Sequence, residues 1–121
     1  MLDSDASLRW HDKSEGLQHN KLELFKMKEY YVYLLTSKRY GVLYTGMTSD
    51  LIKRIYEHKS SFVSSFTSKY KVHQLVYYEI HNDVMEAIKR EKNIQAWKRD
   101  WKIRLIEENN PEWKDLYPGI I

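Results

Sequence analysis

Residues Tyr30 to Thr36 read YYVYLLT, and residues Val42 to Gly46 read VLYTG. The first run is aromatic and branched, which suits a pleated, half-buried strand. Ser37 to Gly41 supplies turn chemistry between them, so the two pair as a hairpin. Thr48, Ser49 and Asp50 then offer helix N-caps ahead of a helix over Leu51 to Lys59. The Ser-rich stretch from Ser60 to Tyr70, with Phe62, Val63 and Phe66 interspersed, reads as a loop. His73 to His81 (HQLVYYEIH) reads as a third strand. Asn82 or Asp83 caps a helix running through Gln95, and a further helical stretch covers Trp97 to Glu108 before Asn109-Asn110-Pro111 ends it. The expected fold class is α/β: a small three-stranded, largely antiparallel sheet flanked by helices, in the order β-β-α-β-α-α. Residues 1–28 read as a loosely ordered extension, 29–117 as the domain and 118–121 as a tail.

The 121 residues suit a single domain. Hydrophobic residues at 42% and charged residues at 31% describe a globular chain rather than a disordered one. With no cysteine, a disulfide framework, a thiolate zinc site and a cysteine nucleophile are all excluded. That composition fits a reducing compartment, and a cytoplasmic protein is expected. No apolar run approaches the roughly 20 residues of a membrane span, so no membrane partner is expected.

The net charge of +3 is unevenly placed. Residues 1–28 carry five acids and five bases and are neutral. Residues 38–71 hold seven bases against Asp50 and Glu57, and residues 89–104 hold seven against Glu91 and Asp100. If the two stretches share a face, the domain presents a positive surface far stronger than +3 suggests, one suited to a phosphate backbone. Lys53, Lys59, Lys98 and Arg99 are the basic residues expected on nucleic acid, with Gly46 allowing close backbone approach.

Three ionisable residues fall where apolar ones belong. On the helix after Asp83, Glu91 stands mid-stripe among Val84, Ala87, Ile88 and Gln95. A lone carboxylate in an apolar interface needs a partner; an ion pair and a metal or catalytic role both answer that need. On the helix from Leu51, His58 lies within the apolar stripe and Arg54 on its border, one turn apart. A stripe histidine is commonly a satisfied core residue, and a border arginine commonly snorkels. Arg54 could instead offer a phosphate two hydrogen bonds in a fork that lysine lacks. Tyr33 and Tyr44 lie on the two strands preceding that helix, and buried hydroxyls need partners.

These residues form a pattern. Tyr31-Val32-Tyr33, ten intervening residues and Tyr44-Thr45-Gly46 resemble the two signature tripeptides of the GIY-YIG nuclease family. Tyr31 stands where the pattern has Gly, and Val32 and Thr45 replace Ile. The stretch from Thr48 to His58 resembles the family's first helix, and Glu86 to Glu91 its metal-binding segment. Asn110-Pro111-Glu112-Trp113 is similar to the tail of small stand-alone bacterial members related to the nuclease domain of the excision-repair C subunit. The resemblance implies a metal-dependent DNA endonuclease acting in repair or recombination. Tyr33 would be the general base, with Tyr44 orienting the water. Arg54 would stabilise the phosphate's growing charge, and His58 would bind the scissile phosphate. Glu91 would hold one Mg²⁺ (or Mn²⁺). An ordinary tyrosine pKa near 10 makes a poor base at neutral pH. Arg54 and the metal would have to lower it, or the metal take over that role. Several relatives carry Lys just after the second tripeptide, where this chain has Met47.

No appended DNA-reading motif is present, so specificity is expected from DNA structure (branched, nicked or single-stranded) or from a protein partner. The alternatives are a non-catalytic nucleic-acid-binding module and a partner-dependent subunit using Trp97, Trp101 and Trp113 as an interface.

Overall fold

The computed structural model describes residues 28–60 and 69–121. The expected N-terminal extension, Lys28 excepted, and most of the expected Ser-rich loop lie outside the described residues. Strand β1 spans Tyr30–Thr36 and β2 spans Leu43–Thr48. Helix α1 covers Leu51–Lys59, β3 covers Gln74–His81, α2 covers Val84–Ala96 and α3 covers Arg99–Asn109. The expected order is therefore observed. A one-turn 3-10 helix, Tyr117–Gly119, follows, and Ile120 packs on the core, so ordered structure continues past 117 into the expected tail.

The strands form one antiparallel sheet, in the order β2-β1-β3. Central β1 is buried on both faces, and its side chains alternate between two layers. Val32 and Leu34 join Met47, Ala87, Ile94 and Ile106 beneath α2 and α3. Tyr33 and Leu35 join Tyr44, Leu51, Ile55 and Leu75 beneath α1. The β1–β3 register shifts between Leu34 and Leu35, which leaves Val76 as an extra residue on β3. Its carbonyl accepts a 3.0 Å hydrogen bond from buried Asn110, so the bulge leaves no orphan there.

Helices α1 and α2 start where the sequence offers a cap. The Asp50 carboxylate accepts from the Lys53 amide, and Asp83 accepts from the Glu86 amide. Strand β2 runs two residues beyond the expected Gly46, because Met47 and Thr48 keep pairing with Val32 and Tyr31. Helix α3 begins two residues later than expected, since Trp97 and Lys98 adopt extended backbone (ψ 154° and 148°) that separates it from α2.

The hairpin turn is fixed to α3. Tyr40 takes a left-handed conformation (φ 60°), and Arg99 donates to the carbonyls of Tyr40 and Gly41 at 2.7 and 2.8 Å. The Tyr40 hydroxyl donates to Glu107, which also accepts from the Trp113 indole. At the other edge the C-terminal segment closes β3. Leu75 donates its amide to Asp115, and Leu116 donates to the Leu75 carbonyl. No helix among the described residues is long and apolar enough to cross a membrane.

Candidate active site

Position 46 sets the geometry. Gly46 sits opposite Tyr33 in the β1–β2 register, and a Cβ there would run into the Tyr33 hydroxyl and ring. Only glycine lets the tyrosine lie flat across the neighbouring strand. So placed, the Tyr33 hydroxyl reaches α1 and shares a 3.0 Å hydrogen bond with His58 Nε2. Tyr44, two residues before Gly46 on the same face of β2, completes an aromatic triangle. Its ring centroid lies 5.0 Å from His58 and 6.2 Å from Tyr33.

Arg54 stands one turn before His58 and is buried with it: Tyr33 and His58 are 0% exposed, Tyr44 2% and Arg54 3%. Burial drives the Tyr33 hydroxyl well above the usual tyrosine range, and neighbouring Tyr44 adds to the rise. The Arg54 guanidinium and its hydrogen bond to the hydroxyl pull the other way without overcoming this. Tyr33 is accordingly a neutral phenol at neutral pH, and Arg54 by itself does not bring its pKa down. Glu57, i+3 from Arg54, lies 3.6 Å from the guanidinium and belongs to the same corner. The i, i+3 spacing of Arg54 and Glu57 is the local signal in the sequence for this contact.

Of the five expected site residues, Tyr33, Tyr44, Arg54 and His58 converge in the α1 layer. Glu91 is carried by a different element, α2, whose apolar residues Ala87 and Ile94 belong to the second layer. It lies between Ala87 and Ile94 on the face of α2 that packs beneath β1 and β2, and is 4% exposed. Met47 belongs to this second layer, so its side chain points away from Tyr33 and fills the core.

Lys53 and Lys98 are exposed, as nucleic-acid contacts would require. The other three residues expected on nucleic acid have intramolecular roles. Lys59 binds Asp115 at 2.6 Å and the His73 carbonyl at 2.9 Å, and lies over the Tyr117 ring. Arg99 holds the hairpin turn, and Gly46 makes room for Tyr33. A second polar cluster escaped the sequence reading. Glu79 receives Arg90 in a two-pronged pair (2.8 and 3.1 Å) and also meets Tyr77 and His81. Tyr77, Glu79 and His81 alternate along β3, a spacing that hints at a shared face, but nothing local identifies Arg90 as their partner.

Fold and cluster together define a small three-layer α/β domain that keeps a tyrosine, a histidine and an arginine in mutual contact out of water. Residues 29–104 match the family model described as the GIY-YIG catalytic domain, and the chain belongs to the GIY-YIG family, a family of nucleases. It is similar to a UPF0213 protein of Staphylococcus saprophyticus, 38% identical over 82 residues that cover 68% of this chain and 99% of that one. A UPF0213 protein of Staphylococcus aureus is 34% identical over 82 residues, with the same coverage. The solution NMR structure of a UPF0213 protein from Bacillus halodurans matches with a TM-score of 0.47 at 28% identity. That match covers 72% of this chain and 92% of the other.

Proposed function

We propose that this protein is a metal-dependent DNA endonuclease that hydrolyses phosphodiesters in repair or recombination and is directed by DNA structure. The observation that carries this reading is the buried hydrogen bond between Tyr33 and His58, with Arg54 beside it. Buried polar and charged side chains weaken a core unless they serve something else, and perturbed groups gathered at one place mark functional sites.

The geometry suggests how a tyrosine with a raised pKa can act as a base. Tyr33 accepts a proton from the attacking water as it passes its own proton to His58 Nε2, so free phenolate never accumulates. Tyr44 orients that water. Arg54, fixed in charge at any working pH, stabilises the charge building on the phosphate oxygens. Among the described residues no group of three or more acidic, His or Cys side chains could hold a cation, so an all-protein cage is not part of this reading. The buried carboxylate of Glu91 suits Mg²⁺ or Mn²⁺, ions that take one carboxylate and keep waters and phosphate oxygens as their other ligands. When bound, such an ion neutralises phosphate charge and polarises the phosphoryl group.

The test is cleavage of supercoiled plasmid and of branched, nicked and single-stranded DNA in Mg²⁺, in Mn²⁺ and in EDTA. Cleavage that disappears in EDTA, in Arg54→Ala and in Glu91→Ala supports the reading. Cleavage that survives both substitutions removes the site assignment, and binding without cleavage on every substrate makes the protein a nucleic-acid-binding module.

A further inference from the structure

Beyond the buried cluster, the same sheet face carries an open cleft of about 360 Å³. Tyr31, Tyr78 and Ile80 form its floor; Asp50, Ile52 and Ile120 stand around it. The Tyr31 and Tyr78 rings meet edge to face at 6.4 Å, and Ile80 and Ile52 are 51% and 46% exposed. Nothing in the family assignment or in the Tyr33–His58 chemistry accounts for this aromatic, solvent-facing end of the sheet.

We propose that the Tyr31–Tyr78 cleft is a nucleobase subsite that stacks one unpaired base beside the phosphate to be cut. The proposal rests on the nuclease reading and names the part of the substrate next to the reacting bond. Three observations select a base as the occupant. Tyr31 is two residues from Tyr33 on the same face of β1, about 7 Å along the strand. A strand whose phosphate reaches the cluster therefore carries a neighbouring nucleotide over the cleft. Among the described residues no lysine or arginine lines it, whereas Asp50 does, and Glu29 accepts the Tyr31 hydroxyl at 3.0 Å. This acidic rim repels phosphate and admits a neutral ring. Flat tyrosine faces bordered by isoleucine are the surface on which bases stack. The subsite thus favours single-stranded or locally opened DNA.

The experiment compares a short single-stranded oligodeoxynucleotide with the same strand made abasic at one position, both bound in EDTA to the full chain. A 2-aminopurine version reports stacking by its quenched fluorescence. The parent protein should bind the intact strand about tenfold more tightly than the abasic one and quench the probe. Tyr31→Ala should erase both differences, while Tyr31→Phe, which keeps the ring and loses the bond to Glu29, should retain them. Ile80→Asp alters an exposed position and leaves the core alone, so it tests the cleft if Tyr31→Ala does not fold; it should also erase the preference. Equal affinity of the parent for intact and abasic strands overturns the proposal. So does sedimentation showing that Ile80→Asp splits a dimer, which would make the cleft an interface between two copies. If plasmid is cut while the abasic change has no effect, the subsite falls and the nuclease reading stands. Base preference without cleavage in Mg²⁺ or Mn²⁺ supports the subsite and removes the nuclease reading.

Discussion

On the face covered by α2 and α3, β1 buries Val32 and Leu34 against Ala87, Ile94 and Ile106. On the face covered by α1, the same strand buries Tyr33 among Tyr44, Arg54 and His58. Alternate residues of one strand therefore meet two different interiors. The aliphatic side gains from removing hydrocarbon from water and asks little of geometry beyond fit. The polar side must satisfy each hydroxyl, ring nitrogen and guanidinium it hides, so position matters there to fractions of an ångström. Both interiors hold the sheet to its helices, and the Tyr33 chemistry belongs to the second.

That division can be broken from either side. The largest effect expected is on activity: Arg54→Ala should lower single-turnover cleavage by about 10²–10³-fold, the usual consequence of removing one transition-state donor. It should do so with a far smaller change in thermal midpoint than Leu34→Ala. Leu34→Ala should cost about 2–5 kcal/mol on calorimetric unfolding and leave the site's residues in place. A Leu34→Ala protein that stays folded yet loses cleavage as completely as Arg54→Ala would show that the two interiors are coupled.

Gly46→Ala sharpens the comparison, because its Cβ enters the space of the Tyr33 ring and hydroxyl. About 1–3 kcal/mol of destabilisation is expected, with activity falling further than stability alone explains. Tyr33→Phe should cost about 1–3 kcal/mol by depriving buried His58 Nε2 of its partner. Replacing both, as Tyr33→Phe with His58→Leu, should recover part of that loss in a double-mutant cycle while activity stays absent.

The smallest effect is a pH dependence on the aliphatic side. Burial alone would raise the Glu79 carboxyl, but hydrogen bonds from Arg90, Tyr77 and His81 outweigh it and hold the group below its ordinary 4.5. A carboxyl depressed on folding contributes stability above its unfolded pKa and loses it as pH falls through the folded value. Stability should therefore decline below about pH 4.5, and Glu79→Gln should flatten that part of the profile in denaturant titrations.

Much of this architecture was legible because its signals are local. YYVYLLT and LIKRIYEHK announce β1 and α1 to the residue, and helical periodicity placed His58 and Glu91 on buried faces. Strand β2 was read short because Gly46 looks like an end; its real reason is the tyrosine across from it, which only the pairing register reveals. Arg54 sits on the border of its apolar stripe yet is buried, beside the Tyr33 hydroxyl that comes from another strand. Partners far apart in the chain were the illegible part. Asn110 under the bulge, Arg90 on Glu79 and Asp115 on Lys59 are set by tertiary packing, and no local pattern points to them. The same limit let periodicity bury Glu91 correctly without telling which groups its carboxylate would meet.

The buried phenol of Tyr33 also gives the chain an optical gauge of its own opening. Exposed tyrosines convert to tyrosinate, with its characteristic ultraviolet absorption, as alkali is added near pH 10. Tyr33, held far above that range by burial, should stay silent through the first wave and ionise only when α1 lifts from the hairpin. Tyr77 on the other face also ionises late, so the part of the late step that Tyr33→Phe removes measures how firmly the site is shut, without label, substrate or metal.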